Sequence, residues 1–252
     1  MGLWSIGSVT DYKNHRVAVL GGGSFGTAIA NMIASNGYAM TLWLRSEVRA
    51  ASIRDSRENS DYLPGYQLHS AMEVSTDLEQ ALAGAQTVFF AVPSSSFREL
   101  AKRAFPFLNK DCVLVSTAKG IEAHSFMLPS EILEQEIPHC SVGVISGPNL
   151  AREIAQFEIT ATVIASENAE LCERIQTLLG SQYFRVYANH DRYGVELAGA
   201  LKNIYAIVAG IAEAMDVGQN TKAVVLTRSL AEICLLYTSD AADDSLRVDP
   251  GG

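Results

Sequence analysis

The chain has 252 residues and a net charge of −9, with 48% apolar and 19% charged residues. That composition reads as a soluble globular protein, large enough for one large domain or two small ones. The negative balance and the lack of any basic block argue against nucleic acid and anionic membrane surfaces as partners. They leave room for small phosphates, which need only a few local donors.

Cys112, Cys140, Cys172 and Cys234 stand far apart in sequence, no C-x-x-C occurs and the histidines show no ligand spacing. No metal site is expected, and buried thiols in a reducing cytoplasm are the default reading. No apolar run reaches the ~20 residues of a membrane span. Residues 1–15 lack the positive start and apolar middle of a signal peptide and read as a loose N-terminal arm.

Arg16 to Leu20 is a short apolar run of strand type, followed at once by Gly21-x-Gly23-x-x-Gly26 and a helical pattern over Thr27 to Ser35. Strand, glycine turn and helix in that order are the context a dinucleotide-binding fingerprint requires. Gly21 allows the tight turn, Gly23 leaves room for a pyrophosphate against bare backbone, and Gly26 lets helix and strand pack closely. The free N–H groups and dipole of the helix start favour the anion. Taken alone, the pattern also fits a glycine turn in any doubly wound sheet.

Met40 to Leu44 reads as the second strand and ends in Arg45-Ser46-Glu47. Arg45 at that point suits the 2′-phosphate of NADP, Glu47 suits the free hydroxyl of NAD, and both also read as solvated surface charges. Residues 48–70 are polar, with a turn at Pro64-Gly65. Ala71 to Val74 is a short strand candidate, and Asp77 to Ala83 a short helix capped by Ser75 or Thr76. Gln86 to Val92 suits a strand buried on both faces. It ends at Pro93-Ser94-Ser95-Ser96, where helix capping alone would explain the serines.

Asp111 to Ser116 is the next strand. Lys119 follows it at the rim where such folds bind ligands, although a surface lysine in a turn fits equally well. Val142 to Ile145 is another strand, running into Ser146-Gly147-Pro148-Asn149 and a helix from Ala151 to about Gln156. Thr160 to Ser166 and Tyr183 to Ala188 are two more strands, with a helix over Ala169 to Leu179 between them. This alternation predicts an α/β, Rossmann-like, doubly wound and mostly parallel sheet over residues 16–190. Tyr193 to Met215 then reads as one long helix, with Leu197, Leu201, Ile204, Val208 and Ile211 at helical spacing. Lys202 and Asn203 interrupt it. Small neighbours at Ala198, Gly199 and Ala206 leave a cleft above Lys202, and burial there would depress its pKa toward proton transfer. The alternative is a lysine snorkelling to water. A second helix starts near Asn220 and runs past Ile233, so residues 191–234 begin an all-helical second domain.

Gly21-Gly-Gly-Ser-Phe-Gly-Thr-Ala28, Leu42-Trp-Leu-Arg45, Tyr62-Leu-Pro64, Ala91-Val-Pro-Ser94, Thr117-Ala-Lys-Gly-Ile-Glu122, Ser146-Gly-Pro148, Phe184-Arg-Val-Tyr187, Leu201-Lys-Asn-Ile204 and Thr227-Arg-Ser-Leu-Ala-Glu232 stand in order across about residues 16–234. Together they resemble bacterial-type NAD(P)-dependent glycerol-3-phosphate dehydrogenase. The resemblance implies reduction of dihydroxyacetone phosphate to sn-glycerol 3-phosphate for phospholipid synthesis, with NADP or NAD as cofactor and NADPH favoured, and a homodimer as one expected assembly. It implies that Ser24 and Phe25 meet the cofactor phosphates, that Arg45 holds the adenosine phosphate end, and that Ala151 lines the cofactor. Lys119 would lie between cofactor and substrate. Gly147, Asn149 and Asn203 would line the substrate, and Lys202 would exchange the proton. Asn149 departs from the Ser or Thr more often expected there.

After about residue 234 an apolar helix turns into an Asp/Ser/Gly stretch, where the family would continue with more helices, an Asp and a Ser-Arg-Asn. Residues 235–252 therefore read as a non-native tail on a truncated chain. Two alternatives stay open: a related hydroxy-acid or sugar-acid dehydrogenase, and a cofactor-binding fragment without catalysis.

Overall fold

The computed structural model describes residues 15–237, with side chains to residue 233. The expected tail lies outside the described residues apart from its first positions, as does the N-terminal arm apart from His15. His15 belongs to the fold rather than to a loose arm. It is buried, and its Nε2 lies 2.8 Å from Thr87 Oγ1.

The elements in order are β1 Arg16–Leu20, α1 Ser24–Ser35, β2 Ala39–Trp43, α2 Glu47–Ser56, β3 Glu73–Ser75, α3 Leu78–Leu82, β4 Thr87–Phe90, α4 Phe97–Ala104, β5 Val113–Ser116, α5 Pro129–Glu136, β6 Ser141–Ser146, α6 Ala151–Ala155, β7 Thr160–Ala165, α7 Ala169–Leu179, β8 Phe184–Asn189, α8 Arg192–Ala214 and α9 Gln219–Tyr237. The strands form one sheet in the order β3-β2-β1-β4-β5-β6-β7-β8. This is the expected doubly wound sheet. β1 through β6 run parallel, β7 is antiparallel to β6, and β8 is parallel to β7. The last two strands therefore run against the first six, a reversal that strand spacing does not encode.

Both sheet faces are covered, which is why the central strands carry no polar alternation. One core sets Val17, Val19, Leu42, Phe89, Val113 and Val115 against α1 and α7. The other sets Ala18, Leu20, Val88, Phe90 and Leu114 against α3, α4 and α5.

Three helices stand in stretches where sequence reading placed none. α2 is capped by Ser46, whose Oγ accepts from the Arg49 N–H at 3.3 Å. α4 buries Phe97, Leu100, Ala101 and Ala104 on one face. α5 starts at Pro129, and the Glu131 carboxylate accepts from the Leu128 N–H at 2.7 Å. Two caps also differ from expectation. Asp77, not Ser75 or Thr76, caps α3. Ser96 turns its hydroxyl back to the Pro93 carbonyl at 3.2 Å and makes no side-chain cap for α4.

Among the described residues one helix, α8, is long and apolar enough to cross a membrane by length and composition. Glu196, Lys202 and Asn203 break its apolar run, so a search for uninterrupted runs passes over it. Its N-terminal half packs on α5 and β6. There Gly199 approaches so closely that an added Cβ would lie 2.4 Å from Ser146 Oγ. Its outer stripe, which includes Ile204, Ile207 and Ile211, is exposed, and no described element covers it.

Glu196 ties α8 to the rest. It is 3% exposed, and its two carboxylate oxygens accept from the Ser130 N–H of α5 at 3.1 and 3.3 Å. Burial pushes its pKa up from 4.5 to about 7, and neighbouring Glu131 adds to the rise against the pull of Ser130 and Arg192. The folded pKa exceeds the unfolded one. The contribution is therefore complete below pH 4.5 and is lost as pH rises through about 7. Denaturant titrations at several pH values should show stability falling across that window, and Glu196→Gln should flatten the fall. An unchanged slope in the variant would place the titration elsewhere.

Candidate active site

The sheet's switch point lies between β1 and β4, where connections leave in opposite directions and open a crevice at the strands' carboxyl ends. Four loops meet there, after β1 (Gly21), β4 (Ala91), β5 (Thr117) and β6 (Gly147). Backbone bonds tie the first three to the neighbouring strands. The Gly21 N–H donates to Trp43 O at 2.9 Å, Ala91 N–H to Leu20 O at 2.9 Å, and Thr117 N–H to Phe90 O at 3.1 Å.

The glycine turn has little slack. Gly21 has φ +130°, and a Cβ on it would lie 2.2 Å from Ala91 O. A Cβ on Gly26 would lie 2.0 Å from Gly21 O, so only glycine allows the helix to start this close to the strand. At Gly23 a Cβ would meet nothing within 4 Å, so this backbone faces open space. α1 starts at Ser24 rather than Thr27, and Gly23 provides no side-chain cap. The N–H groups of its first turn, at Ser24, Phe25 and Gly26, therefore point into the cleft as anion donors. The Ser24 hydroxyl is already engaged, donating to Tyr62 O at 2.6 Å.

On one side of the turn, Gly21, Gly22, Gly23, Trp43, Leu44, Arg45, Arg49, Tyr62 and Arg103 contribute to a cavity of about 390 Å³. Arg45 is exposed at its rim. Arg49 stacks on Tyr62 at 4.7 Å and pairs with Asp61 at 3.2 Å, while Arg103 stacks on Trp43 at 5.7 Å. Glu47 turns away to Arg54 and to Thr76, whose Oγ1 donates to it at 2.5 Å. Glu47 does not line this cavity.

On the other side, Gly23, Ser24, Phe25, Gly26, Thr117, Ala118, Lys119, Ile145 and Asn149 contribute to a second cavity of about 340 Å³. The Lys119 ammonium donates to Gly147 O at 3.3 Å. Gly147 has φ +154°, which turns that carbonyl toward the lysine. Lys119 keeps a solvent face, yet burial, then the adjacent Lys202 charge, lowers its pKa from 10.5 to about 8. Lys202 itself is half-buried on α8, and Asn203 is exposed beside it. The small neighbour Gly199 serves close packing on Ser146 rather than a cleft above Lys202. The neighbouring Lys202 is thus one of the causes that lower the Lys119 pKa.

Asn149 is held in one orientation. Thr162 Oγ1 donates to Ser146 O at 3.1 Å, so it accepts from the Asn149 amide NH₂ at 2.8 Å. Asn149 Oδ1 is left buried, and among the described residues it has no hydrogen-bond partner. Bare backbone at Gly23, free helix-start N–H groups, arginines on one flank and an unpartnered acceptor beside a lysine on the other suit a dinucleotide with a small polar substrate next to it. Ala151 starts α6, packs against the core and lines neither cavity.

Two positioning groups escaped sequence reading. Asn59 lies in the polar stretch 48–70, is 1% exposed, and donates to Gly22 O at 3.0 Å and Thr27 Oγ1 at 2.8 Å. It holds the glycine turn from outside. Arg98 of α4 grips Glu122 with two nitrogens, at 2.8 and 2.7 Å, and also pairs with Glu136. It fixes the loop that carries Lys119 and holds the Glu122 carboxyl down at about 2.

A family model described as the N-terminus of NAD-dependent glycerol-3-phosphate dehydrogenase matches residues 16–172, and one for the C-terminus matches residues 191–246. An NAD(P)+ glycerol-3-phosphate dehydrogenase of Teredinibacter turnerae is 54% identical over 228 residues, covering 90% of this chain and 67% of that protein. One from Pseudomonas aeruginosa is 57% identical over 217 residues, covering 86% and 64%. A crystal structure of glycerol-3-phosphate dehydrogenase from Coxiella burnetii superposes with a TM-score of 0.83 at 35% identity, covering 89% of this chain and 69% of that one. The chain thus spans about two thirds of the length of these relatives.

Replacing Asn59 with Ala should remove both bonds to the turn and lower stability by about 1–3 kcal/mol. Thermal unfolding should show the loss, and NADPH titration a weaker Kd. Parental values for both would show that the turn holds itself.

Proposed function

The chain belongs to the NAD-dependent glycerol-3-phosphate dehydrogenase family, and on that footing we propose that it reduces dihydroxyacetone phosphate to sn-glycerol 3-phosphate with NAD(P)H. The observation that carries this reading is the meeting of Lys119 and Lys202 at the carboxyl end of β6, next to the glycine turn. Two ammonium groups side by side favour an anionic substrate and a developing negative charge. Gly21, Gly23 and Gly26 shape the turn, and the N–H groups at Ser24 and Phe25 receive the pyrophosphate. Arg45, with Arg49 and Arg103 nearby, holds the adenosine end. Lys119, Gly147, Asn149 and Asn203 hold the substrate. Lys202 stabilises charge on the ketone oxygen and delivers the proton to it. The nicotinamide, when bound, supplies the two-electron reduction. Cys112, Cys140 and Cys172 are buried free thiols, which suits a reducing compartment, and we place the protein in the cytoplasm.

A second reading is cofactor binding without turnover, supported by the uncovered apolar stripe of α8. NADPH titration combined with a turnover assay separates the two.

Arg45 at the rim and Glu47 turned away favour NADPH over NADH. Replacing Arg45 with Ala should weaken NADPH by about 1–3 kcal/mol and NADH less. Equal losses in parallel titrations would remove the assignment.

Lys202→Ala should leave NADPH binding nearly intact and reduce turnover by about 10²–10⁴-fold. Lys202→Arg should rescue little, since a guanidinium does not give up its proton near neutral pH. Lys119→Ala should also raise the apparent KM for dihydroxyacetone phosphate. Turnover of Lys202→Ala within a few-fold of the parent would reduce Lys202 to a structural lysine.

A further inference from the structure

Cys112 and Cys140 are distant in sequence but adjacent in the fold. β5 and β6 pair in parallel with Val113 opposite Ser141, so the residues just before each strand, Cys112 and Cys140, stand level at its amino end. Neighbouring strands lie about 4.8 Å apart. That spacing falls within the Cα separation of about 4.4–6.8 Å that a disulfide spans. Both side chains point into the same core, with Leu114 and Val142 next along their strands. Both belong to one cluster of buried side chains at that end of the sheet. The site lies at the opposite edge of the sheet from the cleft, and neither residue takes part in the proposed chemistry.

We propose that Cys112 and Cys140 form an oxidisable pair that a hydroperoxide converts to an intramolecular disulfide. Cys140 is the entry point, since it keeps 9% exposure against 1% for Cys112. The Cys112 thiol donates to Val113 O at 3.6 Å and the Cys140 thiol to Asn109 O at 3.5 Å, and the nearness of the two sulfurs lowers the Cys140 pKa and raises that of Cys112. Asp111 faces Cys140 and opposes this lowering, while Arg174 faces Cys112. The Cys140 thiolate attacks one peroxide oxygen, the O–O bond breaks and hydroxide leaves, giving a sulfenic acid. The Cys112 sulfur then attacks the sulfenic sulfur, the S–O bond breaks, and the hydroxyl departs as water with the Cys112 proton. In total two thiols lose two electrons and two protons, and one hydrogen peroxide becomes two waters. The disulfide would bracket the segment holding both the Lys119 loop and α5, whose Ser130 holds Glu196.

The test is treatment of the native protein with a small excess of hydrogen peroxide, followed by thiol counting and non-reducing peptide mapping. Two thiols should disappear, the mass should fall by two hydrogens, and the Cys112 and Cys140 peptides should emerge linked, all reversed by dithiothreitol. In Cys112→Ser the linkage should vanish, and a sulfenic acid should be trapped at Cys140 by dimedone. A different linked pair, oxidation of Cys140 to the sulfinic acid in the parent without a link, or thiols that survive the treatment would each overturn the proposal.

Discussion

Backbone meets backbone at the end of β1 with no room for a side-chain atom, and the rest of the site depends on that contact. Gly21 lies against the Ala91 carbonyl and Gly26 against the Gly21 carbonyl, each closer than any Cβ would allow. The contact joins β1 to the loop after β4 across the switch point and starts α1 immediately above the sheet. The open N–H groups of that helix then face the cleft at one fixed height. Asn59 braces the same turn from the other side. The anion-facing part of this cleft is thus chiefly main chain, with arginines added at its rim.

Much of this was legible in the sequence because it rests on local rules. The order of strand, glycine turn and helix identified the turn. Long apolar runs such as Gln86 to Val92 identified strands buried on both faces. Lys119 and Lys202 could be placed because one follows a buried strand and the other interrupts an apolar helix. What escaped depends on long-range partners. Asn59 is a polar residue in a polar stretch, and only the fold shows that its amide reaches the glycine turn. Arg98 resembles any helical surface arginine until Glu122 and Glu136 are brought to it. The nearness of Lys119 and Lys202 has the same origin. Small neighbours around Lys202 suggested a cleft there, but Gly199 is small to admit Ser146, and Lys202 is half-buried beside the more exposed Lys119.

The electrostatics of the cleft follow from this pairing. Two like charges held close disfavour each other, and the structure accepts that cost where an anion would relieve it. The chain as a whole is acidic, so these ammonium groups and the arginines near Arg45 form a local exception to its overall field. Grouping Lys119, Lys202 and the arginines near Arg45 at the carboxyl edge of the sheet favours phosphate-bearing molecules there.

The reversal of β7 and β8 has a consequence for measurement along the molecule. Because the last two strands run against the first six, the chain leaves β8 at the amino edge of the sheet, opposite the cleft. α8 must then cross the sheet's full height. Arg192 starts it beside Glu134, Glu196 passes Ser130, and Gly199 reaches Ser146 at the top of β6. The ten steps from Arg192 to Lys202, at about 1.5 Å each, cover about 15 Å. The five steps of β6, at about 3.3 Å each, span about 17 Å. The helix therefore works as a ruler, with its zero at the far edge and Lys202 as the graduation that meets the cleft. One residue inserted between Arg192 and Lys202 would raise the lysine by only about 1.5 Å but swing it about 100° around the helix axis, away from Lys119. The register of α8 on the sheet, rather than any contact at the cleft itself, sets where the second ammonium stands.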